Sequence, residues 1–251
     1  MDNYEILILI LSAFLTSSIS AVIGMGGGII LLGIMAIIIP EGYKVIALHG
    51  MVQLFSNTTR AYVFKKHIKK ILISQFLIGA LIGAIISACI ILILIAYYNV
   101  NSANEIKVEF LKSFIGIFII WNLFLKNSKT EKHINTFVPV GLIAGISSIF
   151  IGAVGPLIAP FFLSKKLTKK NIIANKAASQ MITHITKIPL FIYFFNMNYN
   201  AELKIILPLI LAVYIGTNFG KKILNFIPEA LFKKIFKITL LIIAVRLILI
   251  Y

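Results

Sequence analysis

A glycine run in the middle of an apolar segment, Ser20-Ala-Val-Ile-Gly-Met-Gly-Gly-Gly-Ile-Ile-Leu31, constrains this chain more than any other stretch. Glycine weakens a helix and lets other groups approach the backbone closely. In a bilayer, broken backbone survives only where protein buries it or where it lines a cavity. A degraded copy, Ser148-Ile-Phe-Ile-Gly-Ala-Val-Gly-Pro-Leu-Ile-Ala159, follows about 128 residues later in a second apolar segment. Two such interruptions at corresponding places in two halves point to the substrate site of a membrane transporter.

The bilayer is the medium that the composition requires. Only 13% of the 251 residues are charged, against about 25% in a soluble domain. Apolar runs fall at about 6–39, 45–64, 71–98, 110–125, 137–163, 171–195, 203–219 and 235–251, and roughly 20 residues cross a membrane as helix. The start, Met1-Asp-Asn-Tyr-Glu5, lacks the basic flank of a signal peptide, so the first run reads as retained structure. The single Cys89 has no intrachain partner and says nothing about redox compartment. A net charge of +16 would suggest nucleic acid in a soluble protein. Here the lysines concentrate in short loops between apolar runs, which is a topology signal and excludes that partner class.

Those loops orient the chain. Lys65 to Lys70, Lys126 to His133, Lys165 to Lys170 and Lys221 to Lys237 read as cytoplasmic. The N-terminus, Glu41 to Lys44, Tyr97 to Lys107 and Asn196 to Lys204 read as the outer side of the cell membrane. Segment 6–39 then starts and ends outside, and 137–163 starts and ends inside, so each is a hairpin bent at its glycines. The sequence leaves open whether each arm crosses fully or turns back. The expected fold is an all-α, polytopic membrane protein, a single membrane domain over 1–251. It comprises two inverted-topology repeats, 5–126 and 134–251, each a glycine-broken helical hairpin followed by three transmembrane helices. Gly79…Gly83 and Gly216…Gly220 present GxxxG packing faces. A homodimer is compatible with this pattern.

Polar side chains inside the spans are few, and each is a site hypothesis. His49, Gln53, Asn57 and Arg60 share one helix face, as do Lys176, Gln180, His184 and Lys187, with Thr183 beside them. Gln53, Ser56 and Arg60 pair with Gln180, Thr183 and Lys187 across the halves. Lys176 reads as snorkelling to the cytoplasmic surface, and Arg60 suits either that role or a cavity lining. Lys187 lies deeper and reads as functional, while a helix-to-helix hydrogen bond and a proton carrier are both open for His184. The glycines Gly24, Gly26, Gly27 and Gly28, and Gly152 and Gly155 with Pro156, would free backbone N–H groups at positive helix starts, which suit oxyanions. Tight packing is their alternative use.

No Asp or Glu lies deep in a span, so the acid on which sodium or proton coupling commonly relies is missing. Anion export needs none, because an inside-negative potential drives it. No catalytic, metal or cofactor motif is present: HExxH, CxxC and Walker patterns are absent, and Gly24 to Gly28 lacks the strand–helix setting of a dinucleotide site.

Ile23-Gly-Met-Gly-Gly-Gly-Ile-Ile30, followed by Pro40 and a polar helix, with the second Gly152-Ala-Val-Gly-Pro156 copy, resembles the sulfite exporter TauE/SafE family, also called the toluene-sulfonate uptake permease family. The resemblance runs through both halves. It implies a bacterial or archaeal plasma-membrane permease for sulfur-containing or organic anions, without enzymatic activity. Val154 and Pro156 stand where that family commonly has glycine. The combined expectation is an alternating-access carrier. Both glycine breaks would hold a small anion near mid-membrane, with hydrogen bonds from Gln53, Asn57, Gln180 and His184 and charge from Arg60 and Lys187. An anion channel and a non-transporting membrane scaffold are the alternatives.

Overall fold

The computed structural model describes residues 2–105, 136–152, 154–163 and 167–249. Among them are nine α-helices and no strand. In chain order these are α1 (Asn3–Ile23), α2 (Gly27–Ile38), α3 (Gly42–Val63), α4 (Lys70–Tyr98), α5 (Val138–Ile151), α6 (Gly155–Leu163), α7 (Lys169–Phe194), α8 (Leu203–Leu224) and α9 (Glu229–Leu249). The predicted run 110–125, the loop 126–133, the repeat boundaries at 126 and 134, and Lys165-Lys166 lie outside the described residues.

Both glycine segments break into hairpins. Gly24 adopts φ +84° and ends α1, with its N–H donating to the Ser20 carbonyl at 2.9 Å. Gly152 adopts φ +76° and ends α5. Only glycine enters this left-handed region without strain. The chain restarts as helix at Gly27 and Gly155, with Pro156 in the first turn, where its missing N–H costs nothing. Helices α1, α4 and α8 are long and apolar enough to cross a membrane. The second arms are not: α2 has 12 residues and α6 has 9, about 18 Å and 14 Å at 1.5 Å per residue, against a hydrocarbon core of about 30 Å. Each hairpin therefore pairs a longer first arm with a short return.

Close packing exchanges the two halves. Helix α1 lies along α8, where a Cβ on Gly216 or Gly220 would fall on the carbonyl oxygens of Phe14 and Ser18. Helix α5 lies along α4, where Gly79 and Gly83 meet the carbonyls of Val138 and Leu142, and Gly141 and Gly145 meet those of Phe76 and Ala80. The GxxxG faces thus join helices within one chain. Serines tie the same pairs: Ser17 and Ser18 donate to the Val213 and Gly216 carbonyls, and Ser87 to that of Ile146, each at 3.0 Å. Leu7, Leu11 and Leu15 of α1 and Ile78, Leu81 and Ile85 of α4 face outward, as a lipid surface requires.

Helices α3 and α7 face one another inside this shell. Loops predicted to share a side meet. At one end, Asn171 and Asn175 of α7 bond to the His67 carbonyl and the Lys69 N–H, and Lys169 Nζ donates to the Leu224 and Ile227 carbonyls. At the other end, Lys44 and Glu202 pair at 2.6 Å. An apolar cluster containing Phe64, Phe76, Phe162, Phe232 and Phe236 fills the lysine-rich end. Another, containing Val45, Leu48, Phe194 and Leu209, fills the opposite end. The polar residues occupy the band between.

Candidate functional site

Helix periodicity brings the polar stripes of α3 and α7 together. His49, Gln53 and Arg60 come from α3, and Lys176, Gln180 and His184 from α7; all six line one cavity. The two short arms complete the wall with Gly26, Gly28 and Ile29 on one side and Gly155 and Pro156 on the other, joined by Ser20 and Met25. The cavity holds about 340 Å³ of atom-free space, part of it continuous with the outside, and a water-sized body fits in only a small fraction of it.

Of the sequence-predicted residues, Gly26, Gly28, Gln53, Arg60, Gly155, Pro156, Gln180 and His184 line this cavity. Gly24, Gly27, Asn57, Gly152, Thr183 and Lys187 do not. Gly27 is where α2 crosses α1: a Cβ there would overlap the Thr16 carbonyl. Thr183 turns its hydroxyl back to the Gln180 carbonyl at 2.8 Å. Asn57 is fully buried with both amide atoms unpartnered. Lys187 donates to the Gly152 carbonyl at 3.1 Å, beside the cavity-lining His49 and His184 but not in the lining itself.

Lys176 overturns the snorkelling expectation. It is 2% exposed and reaches neither surface. Its ammonium donates to the Gly24 carbonyl at 2.7 Å and to Gln180 Oε1 at 3.3 Å. Its Cα position near a helix end suggested the surface, but the first hairpin folds back to cover it. The bends themselves do not meet at mid-depth. The lysines bonded to Gly24 and Gly152 are 11 positions apart on α7, about 16 Å at helical rise. What converges on the cavity is the start of each second arm.

His49 was legible only as a member of the α3 stripe. Its Nε2–H donates to the Gly28 carbonyl at 2.8 Å, and its ring stands edge-on to His184 at 6.4 Å. Ser20, Met25 and Ile29 carried no chemical signal of their own, and proximity to the break was the clue to them.

The charge pattern is one-sided. Arg60, Lys176 and Lys187 are 3%, 2% and 1% exposed, and no buried Asp or Glu exists among the described residues. Arg60 gives one hydrogen bond, to Ser56 Oγ at 2.8 Å, and its Nε is buried without a partner. The starts of α2 and α6 add N–H groups that have no acceptor within their helices and a partial positive charge. Buried charge is normally paired, so this constellation suits an anionic ligand. Among the described residues no group of three His, Cys, Asp or Glu is placed to hold a metal ion.

The family model described as Sulfite exporter TauE/SafE matches residues 9–247. No curated protein and no solved structure matches the chain.

Proposed function

The chain belongs to the sulfite exporter TauE/SafE family, a family of membrane transporters, and on that premise we propose that it carries small sulfur-containing or organic oxyanions, such as sulfite or sulfonates, by alternating access. The carrying observation is the set of buried cations, with no buried acid among the described residues, around a cavity at two helix starts. Backbone N–H groups at Gly26, Gly28 and Gly155 bind the anion's oxygens. Gln53, Gln180 and His184 add hydrogen bonds, and Arg60 and Lys176 neutralise its charge.

The direction is export. An inside-negative potential drives an anion outward by roughly 2.3 kcal/mol per charge per 100 mV, so no buried carboxylate is needed for coupling. In this reading the N-terminus lies outside and the lysine-rich loops face the cytoplasm of a plasma membrane. The halves 5–126 and 134–251 act as inverted repeats and rock against each other around the cavity. The matched glycine breaks and the exchanged α1–α8 and α4–α5 contacts support that.

Purified protein in proteoliposomes tests this. Sulfite loaded inside should leave faster than from empty-vector vesicles. Gln53→Ala and Gln180→Ala should each slow flux at low sulfite roughly tenfold, the loss expected for a hydrogen bond to a charged group. Wild-type flux at the empty-vesicle rate for sulfite, sulfoacetate, taurine, thiosulfate and small carboxylates alike would refute the assignment.

A further inference from the structure

Two features stand outside the cavity lining: Lys187 and the glycine that makes room for it. Lys187 crosses from α7 to the Gly152 carbonyl (3.1 Å) by passing Gly50 of α3, where an added Cβ would lie 2.5 Å from its Cε. Lys176, on the same helix, reaches the Gly24 carbonyl at 2.7 Å. Both carbonyls belong to positive-φ glycines at the ends of first arms, where the last turn has no helical partner and carries partial negative charge. One helix thus holds the broken end of both hairpins, each through one lysine.

We propose that Lys176 and Lys187 are paired latches for the two hairpins, and that only the first is reached by the transported anion. Lys187 is a positioning residue and contributes no ligand atom. An ammonium has three N–H donors, and Lys176 directs two of them to the Gly24 carbonyl and Gln180 Oε1. The third is free for an anion in the cavity that Lys176 lines. An anion there draws on the same ammonium that holds Gly24, so filling the cavity weakens the first latch. No atom of Lys187 lines the cavity, so the second latch stays as it is. The first hairpin is then the element that responds to substrate, and the second is the fixed wall. This asymmetry rests on the anion reading above, whereas the latches themselves do not.

Amide hydrogen exchange on the purified full chain, with and without sulfite, tests both parts. It compares the last turn of α1 (residues 20–24) with the last turn of α5 (148–152). Lys176→Met should speed exchange at 20–24 alone, and Lys187→Met at 148–152 alone, each roughly tenfold, as for a lost charge-assisted hydrogen bond. Gly50→Ala should reproduce the Lys187→Met result without removing the lysine. Alanine is the better helix former, so α3 keeps its structure, and this variant decides the matter should Lys187→Met not fold. Sulfite should speed exchange at 20–24 relative to 148–152 in the wild type, and not in Lys176→Met. In flux assays Lys176→Met should raise KM for sulfite, whereas Lys187→Met should lower maximal rate with KM unchanged within about twofold. Unchanged exchange at 148–152 in both Lys187→Met and Gly50→Ala overturns the second latch. An equal rise in KM for both lysine variants overturns the asymmetry. Loosened turns in the variants, in a protein that neither transports nor responds to sulfite, sink the anion reading and leave the latches standing.

Discussion

Replacing Arg60 with methionine should make the empty protein more stable and the anion bind less well. The guanidinium is 3% exposed, gives one hydrogen bond to Ser56 Oγ, and has a buried, unpartnered Nε. No buried carboxylate among the described residues offsets its desolvation, which for a buried ion amounts to several kcal/mol. Methionine fills similar volume without charge. Losing one hydrogen bond to a hydroxyl costs about 1 kcal/mol, while removing an uncompensated ion recovers about 1–4 kcal/mol. The net change for the empty protein is therefore near zero or positive. With an anion at about 4 Å and an effective dielectric near 20, the guanidinium contributes up to about 4 kcal/mol of attraction, nearly three orders of magnitude in Kd. The assay is thermal unfolding of detergent-purified protein with and without sulfite. At 100 times Kd, sulfite should stabilise the wild type by about 2.7 kcal/mol and leave Arg60→Met almost unshifted. Marked destabilisation of the empty variant, together with a wild-type-sized sulfite shift, would refute the reasoning. Arg60 would then have a protein partner, and the cavity would not depend on its charge.

Packing and the one described ion pair set four further outcomes. Gly27→Ala puts a methyl on the Thr16 carbonyl and should destabilise the first hairpin by about 1–3 kcal/mol. Gly28→Ala first meets the Gln53 side chain, at an ordinary 3.4 Å, so this variant should fold normally yet transport more slowly; thermal melts and flux together separate the two. Gly216→Ala and Gly79→Ala drive a methyl into a facing backbone across α1–α8 and α4–α5, and each should lower folded yield far more than Gly42→Ala, where the space is open. Breaking the Lys44–Glu202 pair with Lys44→Ala should cost no more than about 1 kcal/mol, and the loss should vanish in high salt, as for a partly exposed pair.

The medium, the helical class and the location of the breaks could be read from the chain because they depend on local physics. A long apolar run must satisfy its own backbone groups as helix, and a glycine cluster within it marks where that helix stops. Loop charge sorted the ends, and the Lys44–Glu202 contact and the Asn171–His67 contact join loops expected on a common side. Helical periodicity put His49, Gln53 and Arg60 on one face, and all three line the cavity.

The fate of the lysines depended on tertiary structure. Lys176 sits seven residues past the start of α7, where a sequence reader expects its ammonium in water; the returning first hairpin buries it instead against the Gly24 carbonyl. Lys187 has the right stripe for the cavity, yet Gly50 opens a path that sends it to Gly152. Likewise the shortness of α2 and α6 separates the bends and brings only the restarted helix ends together. Spacing along a helix specifies direction around its axis and nothing about what the chain lays across that face. A flexible four-carbon side chain then goes to whichever unpaired carbonyl the fold leaves within reach.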